Sequence, residues 1–392
     1  MSIDVLIDGT AVSIDDAVFT TLLDNSVAGT YKAYGDALQS GSIKFKDLLY
    51  LADRGDIPYP LFFSPLPLVR EQVRVKTEKL LAGVSRDTFS IGSRSKVDLR
   101  DVELIVKDLI RKQQLVRTHD TSLERNRIVG LLRNEGPSPD ADAARLMSAI
   151  GLTHDAVRAC RTKQKALDLL IDRLEANQVL VSRSVQNYMP QRLSHVRFSG
   201  MTIRDNKVPF IFLAGGDHHD DQEPVGRTIF TLTLMTVMVA RRIFAPMTWD
   251  GGSIDTDPRR EYDVAGAMLM PAERLREMGP VSLDDMKAAS DEFKVTASAV
   301  TVRSMRVGMI TGETASNYLE ELRVEFNSQP RGGPRSPILP ENAVRKYNGA
   351  EFTRRMLRAL DSMSISPGEF CRAVCLNHLK PSGIEGLRRA VG

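Results

Sequence analysis

The sequence predicts an α+β chain, mostly helical, with a small sheet and helical regions at both ends. Three observations carry this. Residues 208–213, Val-Pro-Phe-Ile-Phe-Leu, form a short apolar run ended by Gly215 and Gly216, the pattern of a buried strand. Residues 227–244 follow, dominated by Ile, Leu, Met, Val and Phe and free of Pro and Gly. They are long enough for about four helical turns, and their near-continuous apolarity means a helix packed on most sides. Most of the other segments carry apolar residues at helical spacing.

Composition narrows the class. The chain has 392 residues, 26% charged and 42% apolar, with a formal net charge of +3. That is ordinary for a soluble protein of two or three domains, and too little charge to argue for nucleic acid by itself. Three cysteines (Cys160, Cys371, Cys375) are no disulfide framework and suggest a reducing compartment. Asp4 and Asp8 stand where a signal peptide would need basic residues, and no apolar run is long enough to span a membrane. A cytoplasmic protein without membrane contact is expected.

Taken in order, Ser13-Ile14-Asp15-Asp16 reads as a capped helix start, with Ser13 as N-cap and Asp16 at the third helical position. The helix runs through Leu22. Residues 31–38 predict a second helix stopped by Gly41, and residues 45–52 a third, with apolar positions at 45, 48, 49 and 52 and Gly55 after it. Residues 98–115 read as one helix, Val102, Ile105, Val106 and Ile110 inward and Arg111, Lys112 and Arg117 at a polar end. The basic residues from Arg70 to Arg100 read as a solvated face, in preference to a phosphate site. Gly136-Pro137-Ser138-Pro139 is the best linker candidate. Helices over 140–150 and 163–176 and a strand over 179–181 precede the central strand. Beyond the apolar helix, residues 262–270 form another buried helix closed by Pro271. Helices from Ser282 to Phe293, through Met305, over 309–325 and over 349–362 follow, with a loop at 329–337. A last helix starts at Ser366-Pro367.

The arrangement resembles the ImmA/IrrE-type zinc metallopeptidase domain with its chemistry removed. In that family an FTLxHExxH sequence opens the active-site helix, and a later helix ends in a Leu-Met-Pro signature. Here Phe230-Thr231-Leu232-Thr233 and Leu269-Met270-Pro271 stand in those places. The two metal histidines fall on Leu234 and Met238, and the catalytic glutamate on Met235. The third ligand falls near Pro258, with Asp257 and Glu261 the nearest carboxylates. Gly41 to Lys44, Leu48 to Ala52 and Ile57 to Phe63 are similar to the end of an XRE-type helix-turn-helix head. The resemblance implies a zincin-like pseudopeptidase core and four regions: a degenerate head at 1–66, a helical connector at 67–136, the pseudopeptidase domain at 137–280, and a helical C-terminal region at 281–392. Groove contacts in the head would come from Tyr31, Lys32, Tyr34 and Gln39. It would serve either as a DNA reader or as a packing or homodimer module.

Catalytic zinc needs three protein ligands around an open position, and two histidines one turn apart supply most of that. Leu has no lone pair, a Met thioether is a weak zinc ligand, and Met235 cannot activate water. No catalytic residue and no cofactor are therefore expected. The remaining metal candidates are His218 and His219, within Asp217-His218-His219-Asp220-Asp221, together with Asp257 and Glu261. Cys371, Cys375 and His378 lack a fourth ligand and read as core. The resemblance implies a transcriptional regulator or antitoxin-like factor of a prophage or mobile element, working through a protein partner and DNA. The alternatives are a metal-dependent peptidase with rearranged ligands and a protein-binding scaffold without DNA contact.

Overall fold

The computed structural model describes residues 2–81, 99–185, 188–191, 193, 198–214, 223–248, 260–328 and 338–392. It is mostly helical with two small sheets, an α+β chain. The head opens with a hairpin, β1 (Ser2–Ile7) paired antiparallel with β2 (Thr10–Asp15), followed by α1 (Asp16–Asp24), α2 (Lys32–Ser40), β3 (Ser42–Lys44), α3 (Phe45–Arg54) and α4 (Leu66–Leu81). β3 joins β1 in parallel, giving the order β2-β1-β3. The Ser13 cap expected from the sequence is replaced by pairing. Ser13 lies in β2 opposite Asp4, its hydroxyl donating to the Asp4 carboxylate at 2.6 Å, and Asp15 caps α1 instead. The turn is Asp8-Gly9, both at positive φ, the geometry a two-residue hairpin requires and Gly supplies without a Cβ clash.

The second sheet organises the rest. α5 (Glu103–His119), α6 (Pro139–Ile150), α7 (His154–Arg158) and α8 (Lys163–Ala176) lead into β4 (Leu180–Arg183), β5 (Phe198–Ile203) and β6 (Phe210–Leu213). α9 (Val225–Arg241), β7 (Pro246–Thr248) and α10 (Arg260–Leu269) follow. The strand order is β4-β6-β5-β7, with β4 parallel to β6 and the other pairs antiparallel. α9 stops before Phe244 because Arg242 turns left-handed, its N–H closing on Val239 O. The linker candidate is tied down rather than loose. Gly136 N–H donates to Asp142 at 2.8 Å, Gly136 O accepts from Arg260 at 2.6 Å, and Ser138 caps α6.

Side chains alternate across the sheet, as strand geometry demands. Val181, Ile211 and Leu213 point into one core with α6, α8, α9 and α10. Leu180, Phe210 and Phe212 point into another, with α5 and the last helices. α11 (Ala272–Met278), α12 (Leu283–Glu292), α13 (Ala297–Arg306) and α14 (Gly312–Ser328) extend the first layer, where Met286, Phe293 and Val300 are buried. α15 (Pro340–Asn348), α16 (Ala350–Asp361), α17 (Pro367–Ala373) and α18 (Ile384–Val391) complete the second, Phe352 meeting Phe210 at 6.2 Å. So α5, expected in a connector, and α15–α18, expected in a separate C-terminal region, meet on one face of the sheet. Among the described residues no helix is long and apolar enough to cross a membrane.

Candidate functional site

α9 lies in the middle of the first layer, packed on α8, α10, β5 and β6. Two of its four threonines close on the helix itself: Thr233 and Thr236 hydroxyls donate to the carbonyls of Ile229 and Leu232, one turn back. Leu234, Met235 and Met238 are all buried, Met235 completely so. A Cβ on Gly200 would come within 2.6 Å of Met235 Cε and 2.2 Å of Phe212 O. The missing side chain at Gly200, where β5 shifts register against β7, is the room that Met235 fills. The residues at the three motif positions do not fit zinc: none supplies a nitrogen or oxygen lone pair.

Glu261 is the one metal candidate among the described residues, and it is engaged elsewhere. Arg241 at the end of α9 reaches Glu261 at 3.2 Å and Glu135 at 2.8 Å, while Arg260 bonds the fully buried Asp142 at 2.7 Å. These pairs clamp the start of α10 against α6 and the end of α9. Glu223, just before α9, is half-buried, and burial pushes its carboxyl up to about 7 against the nearby Arg227 charge. His218, His219, Asp257 and Pro258 lie outside the described residues. Among the described residues no group of three or more His, Cys, Asp or Glu is placed to hold a metal ion.

The head candidates separate. Tyr34 is buried, its hydroxyl donating to Asp24 at 2.7 Å, so it is a packing residue and is withdrawn as a groove contact. Tyr31 packs edge-on against Tyr50 at 5.9 Å. Lys32 and Gln39 are exposed on α2, with Asp36 4.0 Å from the Lys32 ammonium. Residues 1–66 hold nine aspartates against Lys32, Lys44, Lys46 and Arg54. The connector's bases are partly spent on structure. Lys76 reaches buried Glu103 at 2.9 Å and Asn25 O at 2.8 Å, and Lys107 reaches Asp56 at 2.8 Å.

The second layer holds polar groups the sequence reading placed at the surface or passed over. Lys112 is 0% exposed. Its ammonium sits 3.0 Å from Asp108 Oδ2, an ion pair without a well-directed hydrogen bond, and 3.7 Å from the centre of the Tyr347 ring. Tyr347 donates its hydroxyl to Asp108 at 2.8 Å, and Arg111 reaches the other oxygen. Burial alone would raise the Asp108 carboxyl, but the Lys112 and Arg111 charges outweigh it and hold it below the usual range. Burial raises the Tyr347 phenol well above its ordinary value, with Asp108 adding to this, so it stays a donor. Near it, Tyr188 packs on Tyr347 at 5.6 Å, and burial pushes the Cys375 thiol up to about 12. One signal was available: Ile105, Leu109, Lys112 and Val116 repeat at helical spacing, which puts Lys112 on the buried stripe.

The buried Glu175, at the end of α8, joins the layers. It accepts from the backbone N–H of Glu351 at 3.0 Å, in the first turn of α16, and of Val181 at 3.4 Å. Burial lifts its carboxyl to about 7 against those hydrogen bonds. Compared with protein-family models, with curated proteins and with solved structures, the chain matches none.

Proposed function

We propose that this chain is a non-catalytic regulatory protein that acts by binding, built on a peptidase-like frame whose metal position has become packing. The observation that carries the reading is the state of α9: Leu234, Met235 and Met238 are buried, with Met235 pressed against Gly200. A hydrolytic centre needs ligands, a base and an opening for water, and this face of α9 is occupied by apolar atoms. The role follows the resemblance, that of a transcriptional regulator or antitoxin-like factor of a mobile element. Protein binding ranks ahead of DNA binding, because nine aspartates against four basic residues in the head would repel phosphate.

The test is elemental analysis of protein purified without chelator, together with a peptide-hydrolysis assay. Substoichiometric zinc and no cleavage are expected. Stoichiometric zinc that disappears in the His218→Ala, His219→Ala double variant, with cleavage activity, would replace this reading by that of a peptidase with rearranged ligands.

A further inference from the structure

α14 is longer than the helices it packs with. It has 17 residues against ten each in α12 and α13, about 25 Å against about 15 Å. Five of its apolar residues nonetheless keep one helical stripe from end to end, Ala315, Tyr318, Leu319, Leu322 and Phe326, with the exposed Val324 on the opposite side. Burial fades along that stripe. Ala315 is fully buried, Tyr318, Leu319 and Leu322 are half-buried, and Phe326 is 43% exposed. Exposed Val281 lies beside the stripe, its carbonyl accepting from the Tyr318 hydroxyl at 2.8 Å.

The rim is acidic. Glu325 meets Lys287 of α12 at 2.9 Å. That hydrogen bond and charge, with Asp284 and Glu321 nearby, hold the Lys287 ammonium above its ordinary value. Glu325 alone is in contact with that ammonium, which leaves Asp284 and Glu321 without a close ion-pair partner among the described residues. Glu320 is matched separately by Arg323 at 2.6 Å.

We propose that the C-terminal half of α14, with Val281, is a docking surface for a basic amphipathic helix of another protein. The apolar face of that helix would cover Leu322 and Phe326, and its lysines or arginines would meet Glu321, Glu325 and Asp284. This is the helix-on-apolar-stripe mode, with charge setting the partner. A second copy of α14 laid on the first would set carboxylates against carboxylates, which argues against self-pairing. The surface gives the partner chemistry for the binding role proposed above but rests on α14 and α12 alone. Its failure would leave the reading of α9 untouched.

The probe is a synthetic 18-residue helix of leucines and lysines at amphipathic spacing, against a scrambled peptide of the same composition. Binding to the full chain is read by fluorescence anisotropy. The amphipathic peptide is expected to bind about ten-fold tighter than the scrambled one, and Leu322→Gln with Phe326→Gln to remove that advantage. Glu321→Gln with Glu325→Gln should weaken binding and flatten its salt dependence. Circular dichroism should be unchanged in both variants, since these side chains are not in the core. Equal binding of the scrambled peptide, or wild-type affinity in the Leu322/Phe326 variant, overturns the proposal. So does wild-type self-association, seen by sedimentation, that this variant abolishes, because the occupant is then a second copy.

Discussion

The two faces of the four-stranded sheet are closed by different means. On the α9 face the core around the helix is apolar, Thr233 and Thr236 satisfy their hydroxyls within the helix, and the ion pair of buried Asp142 with Arg260 lies at the starts of α6 and α10. On the α5 face, Asp108, Lys112, Tyr347 and Glu175 are buried among equally apolar neighbours, each tied to a partner on another element or a turn away. A dry layer tolerates changes of shape within its volume but not new polar groups. A polar-pinned layer tolerates neither the loss of one partner nor a change of protonation, and in return fixes which helix meets which strand. The three positions on α9 that the resemblance associates with chemistry are therefore apolar, and the buried polar groups of both layers sit where their role is to hold elements together.

The largest expected effect comes from making the dry face polar. The triple variant Leu234→His, Met235→Glu, Met238→His places two imidazoles and a carboxylate where all three side chains are buried. Each group left unpaired costs roughly 1–3 kcal/mol. The carboxylate that Met235→Glu introduces would also press towards Gly200 and the Phe212 carbonyl. A lower melting temperature is expected both with and without excess zinc, with no peptide cleavage. If zinc instead lifts the variant above wild type and cleavage appears, the two faces are not different in the way argued here.

On the polar face, removing Asp108 alone should cost more than removing both members of the ion pair. Asp108→Ala leaves the Lys112 ammonium fully buried with the Tyr347 and Phe352 rings in place of a carboxylate, at a cost of about 3–5 kcal/mol in urea unfolding. Lys112→Met should cost less, on the order of 1 kcal/mol, since Asp108 keeps Arg111 and the Tyr347 hydroxyl. The double variant Asp108→Leu, Lys112→Met should recover most of the Asp108→Ala loss. An Asp108→Ala cost inside the range of about 0.5 kcal/mol typical of surface changes would mean the pair pins nothing.

The central elements were legible because their signals were long and unopposed. The strand at Phe210–Leu213, the apolar α9 and the Gly41, Gly55 and Pro271 stops all stand close to where periodicity and breakers put them. The head hairpin left a signal that the sequence reading passed over, Ile3, Val5 and Ile7 alternating up to Asp8-Gly9. A competing local signal, Ser13 with Asp16 at capping spacing, pointed to a helix instead. Pairing with Asp4 decided it, the partner that a two-residue turn at Asp8-Gly9 sets opposite Ser13. At the positions where the resemblance would place zinc ligands and a base, the sequence already shows Leu and Met, which supply no nitrogen or oxygen lone pair. That the space there is filled could not be read, because the filler is Met235 against Gly200, 35 positions earlier. Likewise the α5 stripe was visible, but its lysine was assigned to solvent. Its partners from the last helices, Tyr347 and Phe352, are more than two hundred residues away.

The last effect expected is one of pH, and it separates the layers through the carboxyl that joins them. Glu175 has an ordinary value of 4.5 and stands at about 7 in the fold, raised by burial. Between those values the unfolded chain has lost the proton and the native chain still holds it. The native state then binds more protons, and raising the pH from about 4.5 to about 7 removes stability, on the order of 3 kcal/mol. Glu223 acts with the same sign over the same range, so one variant removes only part of the slope. Asp108 acts oppositely and at lower pH, its stabilising charge being lost as the solution is acidified below the ordinary carboxylate range. Urea unfolding at pH 5 and pH 8 should show wild type weaker at pH 8, with the difference reduced in Glu175→Gln. The amide keeps the shape and one acceptor for the Glu351 or Val181 N–H but cannot ionise. A wild type that grows more stable from pH 5 to pH 8, with Glu175→Gln losing that gain, would show the reverse balance. The two backbone donors at the start of α16 and β4 would then outweigh burial and hold Glu175 charged. The junction between the layers would be an anionic cap on α16 instead of a neutral one.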